Sequence, residues 1–203
     1  MKRIAQIISF IFSPLIVPTY GVAMALWLSS LSLLPSGVLW RTVAYTAAMT
    51  CLFPALIIFL MWKLGYLTDP GLNKRTERTL PYIVVLFGYV GCAIIYSRMH
   101  APGWLTGFMI GGAVAVVVSI VVNRWWKISA HMTAMGGLIA LPIRLLVSNL
   151  AYVDVLWPLM IAVVCAGMVG TARVGLRRHT LGQVVAGAFN GFLWTFLLSS
   201  FGA

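Results

Sequence analysis

The chain has 203 residues, of which 62% are hydrophobic and only 8% charged. A soluble domain carries about 25% charged residues, so this is the composition of an integral membrane protein, and residues 1–203 fit a single membrane domain. The net charge of +11 would suggest nucleic acid in a soluble protein, but the cations sit at the ends of apolar stretches, outside any RNA- or DNA-binding module. That excludes nucleic acid and makes membrane lipids and a phosphate-bearing substrate the natural partners.

Residues 4–17 are apolar but interrupted by Pro14 and Pro18, which predicts a half-helix or an interfacial piece rather than a span. Lys2 and Arg3 before this run imitate a secretory signal. The run continues into a second apolar segment without a small-residue cleavage pattern, so it reads as retained. A spanning helix needs roughly 20 apolar residues. Segments near 19–34, 42–66, 82–98, 104–122, 132–148, 156–171 and 183–202 meet that length closely enough to predict an all-α, polytopic membrane helix bundle with six to seven transmembrane helices. Cys51, Cys92 and Cys165 fall inside these stretches with no paired spacing, and read as packing residues rather than a disulfide or metal framework.

With residues 1–34 counted as one crossing, the N-terminus and the loops 67–81, 123–131 and 172–182 lie on one side. Only Arg41, Arg98 and Arg144 of the 14 lysines and arginines fall on the other. The positive-inside rule calls the crowded side cytoplasmic. Trp104, Trp125, Trp126, Trp157, Tyr66 and Tyr82 lie near span ends and read as an interfacial belt without a catalytic role. Gly187 and Gly191 have small-xxx-small spacing, which points to tight helix packing inside the bundle. A homo-oligomer is left open.

Three polar gaps carry the chemistry. Lys74, Arg75 and Arg78 precede Pro81. His131 follows Ser129, which is placed to cap a helix. Arg173 is followed six residues later by His179, with Thr180 and Gly182 marking a helix start. Each histidine then stands beside the free N–H groups of a helix N-terminus, where a phosphate is favoured. Six residues are about 240° around a helix, so Arg173 and His179 share a site only if the helix breaks between them, with Gly175 the expected place. His179 and Gln183 are four apart and share a face, so Gln183 can hydrogen-bond the ring. His100 reads as an interfacial residue, Arg177 and Arg178 as headgroup contacts, and Arg124 and Lys127 as anchors.

These residues resemble the type 2 phosphatidic acid phosphatase superfamily of membrane lipid phosphatases. Its motifs are a basic stretch ending in Arg-Pro, then Pro-Ser-Gly-His, then Ser-Arg-x5-His-x3-Asp. Here they read Lys74, Arg75, Arg78 and Thr79-Leu80-Pro81, then Ile128-Ser129-Ala130-His131, then Ala172-Arg173, His179 and Gln183, all within residues 70–190. The resemblance implies metal-independent hydrolysis of a lipid phosphomonoester or pyrophosphate, without a cofactor. His179 would be the nucleophile that forms a phosphohistidine, and His131 the acid for the leaving group. Lys74, Arg78, Arg173 and the Ser129 hydroxyl would hold the phosphoryl oxygens.

This chain departs from the family at Gln183, where the family has Asp. Of the three acidic residues, Asp69, Glu77 and Asp154, Glu77 in the first motif loop is the only plausible substitute, and an ion pair with a loop arginine is its alternative role. The chemistry therefore has two readings: a phosphatase, or a weak or inactive relative that binds lipid phosphates or assists their transport. Phosphatidic acid, phosphatidylglycerol phosphate, undecaprenyl pyrophosphate and a lipid A phosphate all fit as substrate. The expected location is a bacterial inner membrane, with the family precedent placing the active face outside.

Overall fold

A computed structural model describes residues 2–201. Among them there is no β-strand; the chain is an all-α polytopic membrane bundle. Its helices are α1 (Lys2–Ile11), α2 (Val17–Leu28), α3 (Ser36–Ala47), α4 (Phe53–Lys63), α5 (Thr79–Arg98), α6 (Gly103–Val122), α7 (Ala130–Val147), α8 (Leu156–Gly175) and α9 (Leu181–Leu198). Six stretches are long and apolar enough to cross a membrane, α3 and α4 together counting as one, Ser36–Lys63. Apolar side chains such as Leu56, Phe87, Ile161 and Phe189 point outward, as a lipid-facing surface requires.

The N-terminal residues resolve into a separate ten-residue helix, α1. At 1.5 Å per residue it is about 15 Å long, too short to cross. Its faces are strongly segregated, with Ile4, Ile7, Phe10 and Ile11 exposed and Ser9 buried. The next segment starts at Val17 and ends at Leu28, earlier than the hydropathy suggests. There the Ser29 hydroxyl turns back to the Ala25 carbonyl (2.7 Å) and also accepts from Leu31 N–H (3.3 Å), opening a 3₁₀ turn.

Between α3 and α4 the helix widens into one π turn, Ala48–Leu52. Pro54 has no N–H to offer the carbonyl four residues before it, and Phe53 N–H reaches back five residues, to Ala48. The swollen turn packs on α5, where a Cβ added at Gly88 would stand 2.4 Å from the Met49 carbonyl.

α7 is the central helix. Its closest partner is α9, and the glycines decide how close: a Cβ at Gly191 would lie 1.7 Å from the Thr133 carbonyl. Gly187 abuts the Ser129 carbonyl in the same way, so the small-xxx-small pair packs inside the bundle, as its spacing suggests. Asn190 ties α9 to α6 by donating to the Ala115 carbonyl (2.9 Å) and the Ser119 hydroxyl (3.2 Å). In a membrane such a bond is worth about 0.6 kcal/mol. The three cysteines are free.

Candidate functional site

The three polar loops meet at one end of the bundle. Arg75 donates to the Asn123 carbonyl (2.9 Å) and to the Arg124 carbonyl, and Asn123 Nδ2 returns a bond to the Arg75 carbonyl (2.9 Å). Arg78 Nε donates to the Leu72 carbonyl (2.9 Å) and Nη1 to the Ile128 carbonyl (3.1 Å). Ser129 N–H donates to the Gln183 carbonyl (3.3 Å), which sets the starts of α7 and α9 side by side. Backbone carbonyls thus fix the relative positions of loops more than 40 residues apart in sequence.

Below this junction lies a cavity of about 420 Å³. Arg78, His131, Arg173 and His179 stand on its wall; most of the remaining lining is apolar, from Phe10, Pro14, Ile58, Phe59, Val85, Phe108 and their neighbours. It is an amphipathic chamber, cationic at one end and hydrocarbon-like along its length. Among the described residues, no carboxylate side chain lines it. Asp69 is held by Gly71 N–H and Asn73, and Asp154 caps the start of α8 through Leu156 N–H (2.8 Å).

His179 reaches the cavity because of how α8 ends. Arg178 N–H bonds the Arg173 carbonyl (3.1 Å) and Arg177 N–H the Val174 carbonyl (2.8 Å), a Schellman closure. The position usually taken by glycine is Arg177, in the left-handed region at φ 55°. The expected break at Gly175 is therefore displaced: Gly175 stays helical and the reversal happens at Arg177. A non-glycine residue there costs roughly 1–2 kcal/mol.

α9 then begins with a capping box. The Thr180 hydroxyl accepts from Gln183 N–H (3.4 Å), and Gln183 Oε1 accepts from Thr180 N–H (3.3 Å). The same Oε1 lies 3.1 Å from His179 Nδ1. An amide oxygen only accepts, so Nδ1 carries the proton and Nε2 keeps its lone pair. Burial, with the Arg78 guanidinium next, pushes His179 down from the ordinary histidine value to about 4, against the opposing effect of the Gln183 bond. The ring is neutral near pH 7, with a free Nε2. Lys127, in the neighbouring loop, is also lowered, by burial first and then by Arg78, Arg173 and Arg178.

His131 is the second residue of α7, and its Nε2–H donates to the Ser9 carbonyl of α1 (3.0 Å). Arg173, in the last turn of α8, is 8% exposed, and no acceptor among the described residues holds its side chain.

Other expected site residues fall elsewhere. Lys74 is largely exposed and paired with Glu77 (3.5 Å), outside the cavity, because the 3₁₀ turn Arg75–Glu77 brings the two together. Glu77 also accepts from Thr68 N–H (2.9 Å) and the Thr68 hydroxyl, so its partners are a lysine and a threonine rather than an arginine or His179. Ser129 occupies the N-cap position of α7, but its hydroxyl makes no cap bond and is fully buried without a partner, off the cavity wall.

Two residues read as interfacial are not. Trp104 is 4% exposed and Tyr82 7%, and Tyr82 lines the cavity one turn after Arg78 with its hydroxyl unpartnered. Tyr82 immediately follows Pro81 of the first motif, the one sequence signal that separates it from the other aromatics. Ser9 also lines the cavity and was not singled out from the sequence. No known family model, curated protein or solved structure matches this chain.

Proposed function

We propose that this protein is a membrane lipid-phosphate phosphatase, a divergent relative of the type 2 phosphatidic acid phosphatases that works through a phosphohistidine. The observation that carries the reading is the pairing of two histidines and two arginines, with no carboxylate, at the cationic end of an otherwise apolar chamber. A phosphoryl group suits that end and a lipid chain suits the rest.

His179 Nε2 attacks phosphorus. The P–O bond to the lipid breaks, and the leaving oxygen takes a proton from His131, charged by the bound anion. Arg78 and Arg173 stabilise the negative charge on the equatorial oxygens. Water then attacks the phosphohistidine, giving its proton to His131, and inorganic phosphate leaves with neutral His179 restored. The Gln183 carbonyl oxygen keeps Nδ1 protonated throughout, so the attacking nitrogen is always Nε2. In this reading Lys74 is a surface residue rather than a phosphate ligand. A bacterial inner membrane with the chamber opening outward is the setting the family precedent supports.

The same neutral Gln183 favours one competing reading, a relative that binds lipid phosphates without turning them over. An amide supplies orientation but no charge to stabilise the imidazolium. Phosphate release from a panel of lipid phosphates, with EDTA present, separates the two. The expected result is turnover that survives chelation, is inhibited by vanadate, and falls at least about 10³-fold in His179→Ala. Strict dependence on magnesium overturns the mechanism. Binding without release by the parent protein selects the binder.

A further inference from the structure

Most buried serines and threonines in this bundle share one pattern. Ser29, Thr42, Thr46, Thr50, Ser119 and Thr133 each donate their hydroxyl to the carbonyl four residues earlier. That is the default for a helical hydroxyl with no water to meet. Ser9 and Ser129 both have buried hydroxyls without a partner, but only Ser9 stands on the cavity wall. It is 8% exposed, it lines the cavity, and its hydroxyl has no partner among the described residues. Leaving a buried hydroxyl unpaired carries its full desolvation cost, so an unpaired one on a ligand cavity calls for a ligand.

The Ser9 carbonyl is also free of its own helix. Ser13 N–H, which would take it in a continuing helix, bonds the Phe10 carbonyl instead (3.1 Å), and His131 Nε2–H fills the vacancy. One residue of α1 therefore presents two groups to the site, an acceptor already used by His131 and a donor still unused.

We propose that Ser9 is a substrate-contacting residue: its hydroxyl donates to a phosphoryl oxygen of the bound ligand, while its carbonyl positions His131. Helix α1 is then a working part of the site. The inference rests on the reading of the chamber as a lipid-phosphate site. A phosphoryl group could come from a lipid or from free phosphate, and both are used as probes.

The test is calorimetric binding of dioleoyl phosphatidic acid in detergent micelles, and of inorganic phosphate, to the full-length protein in a His179→Ala background that cannot turn substrate over. Ser9→Ala is expected to weaken both by about tenfold or more, the loss of one hydrogen bond to a charged group. The melting temperature without ligand stays the same or rises, because an unpaired hydroxyl is removed. Equal affinity with and without the hydroxyl overturns the inference and leaves the phosphatase reading intact. Weakening for phosphatidic acid alone places the hydroxyl on the ester side and overturns the phosphoryl assignment. If neither probe binds while Ser9 is intact, the reading and the inference fall together. If binding depends on Ser9 but the unmutated protein releases no phosphate, the inference stands and the phosphatase reading fails.

Discussion

Two arginines at opposite ends of the bundle make a natural experiment. Arg144 sits in the last turn of α7 and Arg173 in the last turn of α8; each is 8% exposed and neither has a carboxylate partner among the described residues. Arg144 is nevertheless held by acceptors at both Nη atoms, and only its Nε lacks one among the described residues. Its Nη2 donates to the Phe196 carbonyl (2.6 Å), its Nη1 to the Ser148 hydroxyl (3.3 Å), and its guanidinium lies 3.9 Å from the Phe196 ring centroid. It ties the C-terminal ends of α7 and α9 together, where a cation also complements the helix dipole. Arg173 has no such acceptor among the described residues and stands on the wall of a cavity with another arginine and two histidines. Burial of a charge does not by itself mark function. Burial without an acceptor does, because the desolvation cost is then left for a ligand to offset.

The largest effect is expected at Arg173. Arg173→Ala should lower kcat/KM for a lipid phosphate by about 10²–10³, the scale of removing one preorganised group from a developing oxyanion. The melting temperature of the ligand-free protein should not fall, since the Arg173 side chain makes no hydrogen bond among the described residues. A variant that melts lower and turns over normally would erase the distinction between the two ends.

Arg144→Met should do the opposite. It leaves the Phe196 carbonyl only the longer bond from the Ser199 hydroxyl (3.3 Å), at a cost of about 2 kcal/mol in stability, while kcat and KM per folded molecule stay at parent values. A comparable loss of activity at equal folding would make Arg144 part of a coupled network reaching the site.

The same contrast explains what the sequence could reveal. Arg173, His179 and Gln183 were legible because their geometry is local: a helix end, a reversal and a capping box within eleven residues. Arg78 and His131 were legible through the order of their neighbours. Lys74 was misplaced because a carboxylate three residues away captures it, and nothing in the motif says which of two cations turns inward. Tyr82 reads as a belt residue because hydropathy cannot tell a span end facing lipid from one facing a cavity. Ser9 was invisible, since its partner is 122 residues away and one apolar segment containing a serine looks like another.

Gln183 can be sharpened on this basis, with a smaller effect. Its Oε1 serves both the His179 ring and the Thr180 N–H, so Gln183→Leu loses a cap and an orienter together. Turnover should fall about tenfold with KM nearly unchanged, because the ring bond matters most as the imidazolium forms. Gln183→Glu retains the cap, which favours glutamate at this position, and adds the charge that the family resemblance leads one to expect. Its kcat should exceed the parent's. If Gln183→Leu differs from the parent only in melting temperature, the residue caps α9 and does nothing for the ring.

The smallest effect is on stability against pH, and it tests the neutral His179 directly. Its folded value of about 4 lies below the ordinary histidine value of about 6.5. Between the two, the unfolded chain holds a proton that the folded chain excludes. Stability is therefore fully present above about 6.5 and is lost as pH falls toward 4. Other groups titrate in the same range, so the informative quantity is a difference. His179→Gln, which has no proton to gain, should show a flatter fall in melting temperature than the parent from about pH 8 to about pH 5, by on the order of 3 °C. Arg144→Met, which leaves the site untouched, should keep the parent's slope despite its lower melting point. Equal slopes for the parent and His179→Gln would mean that the fold does not exclude the proton, and that His179 gains charge as readily as in the unfolded chain. A flatter slope in His179→Gln with the parent's slope kept in Arg144→Met would instead locate the excluded proton at the cationic end of the chamber, where Arg78 and Arg173 already oppose it.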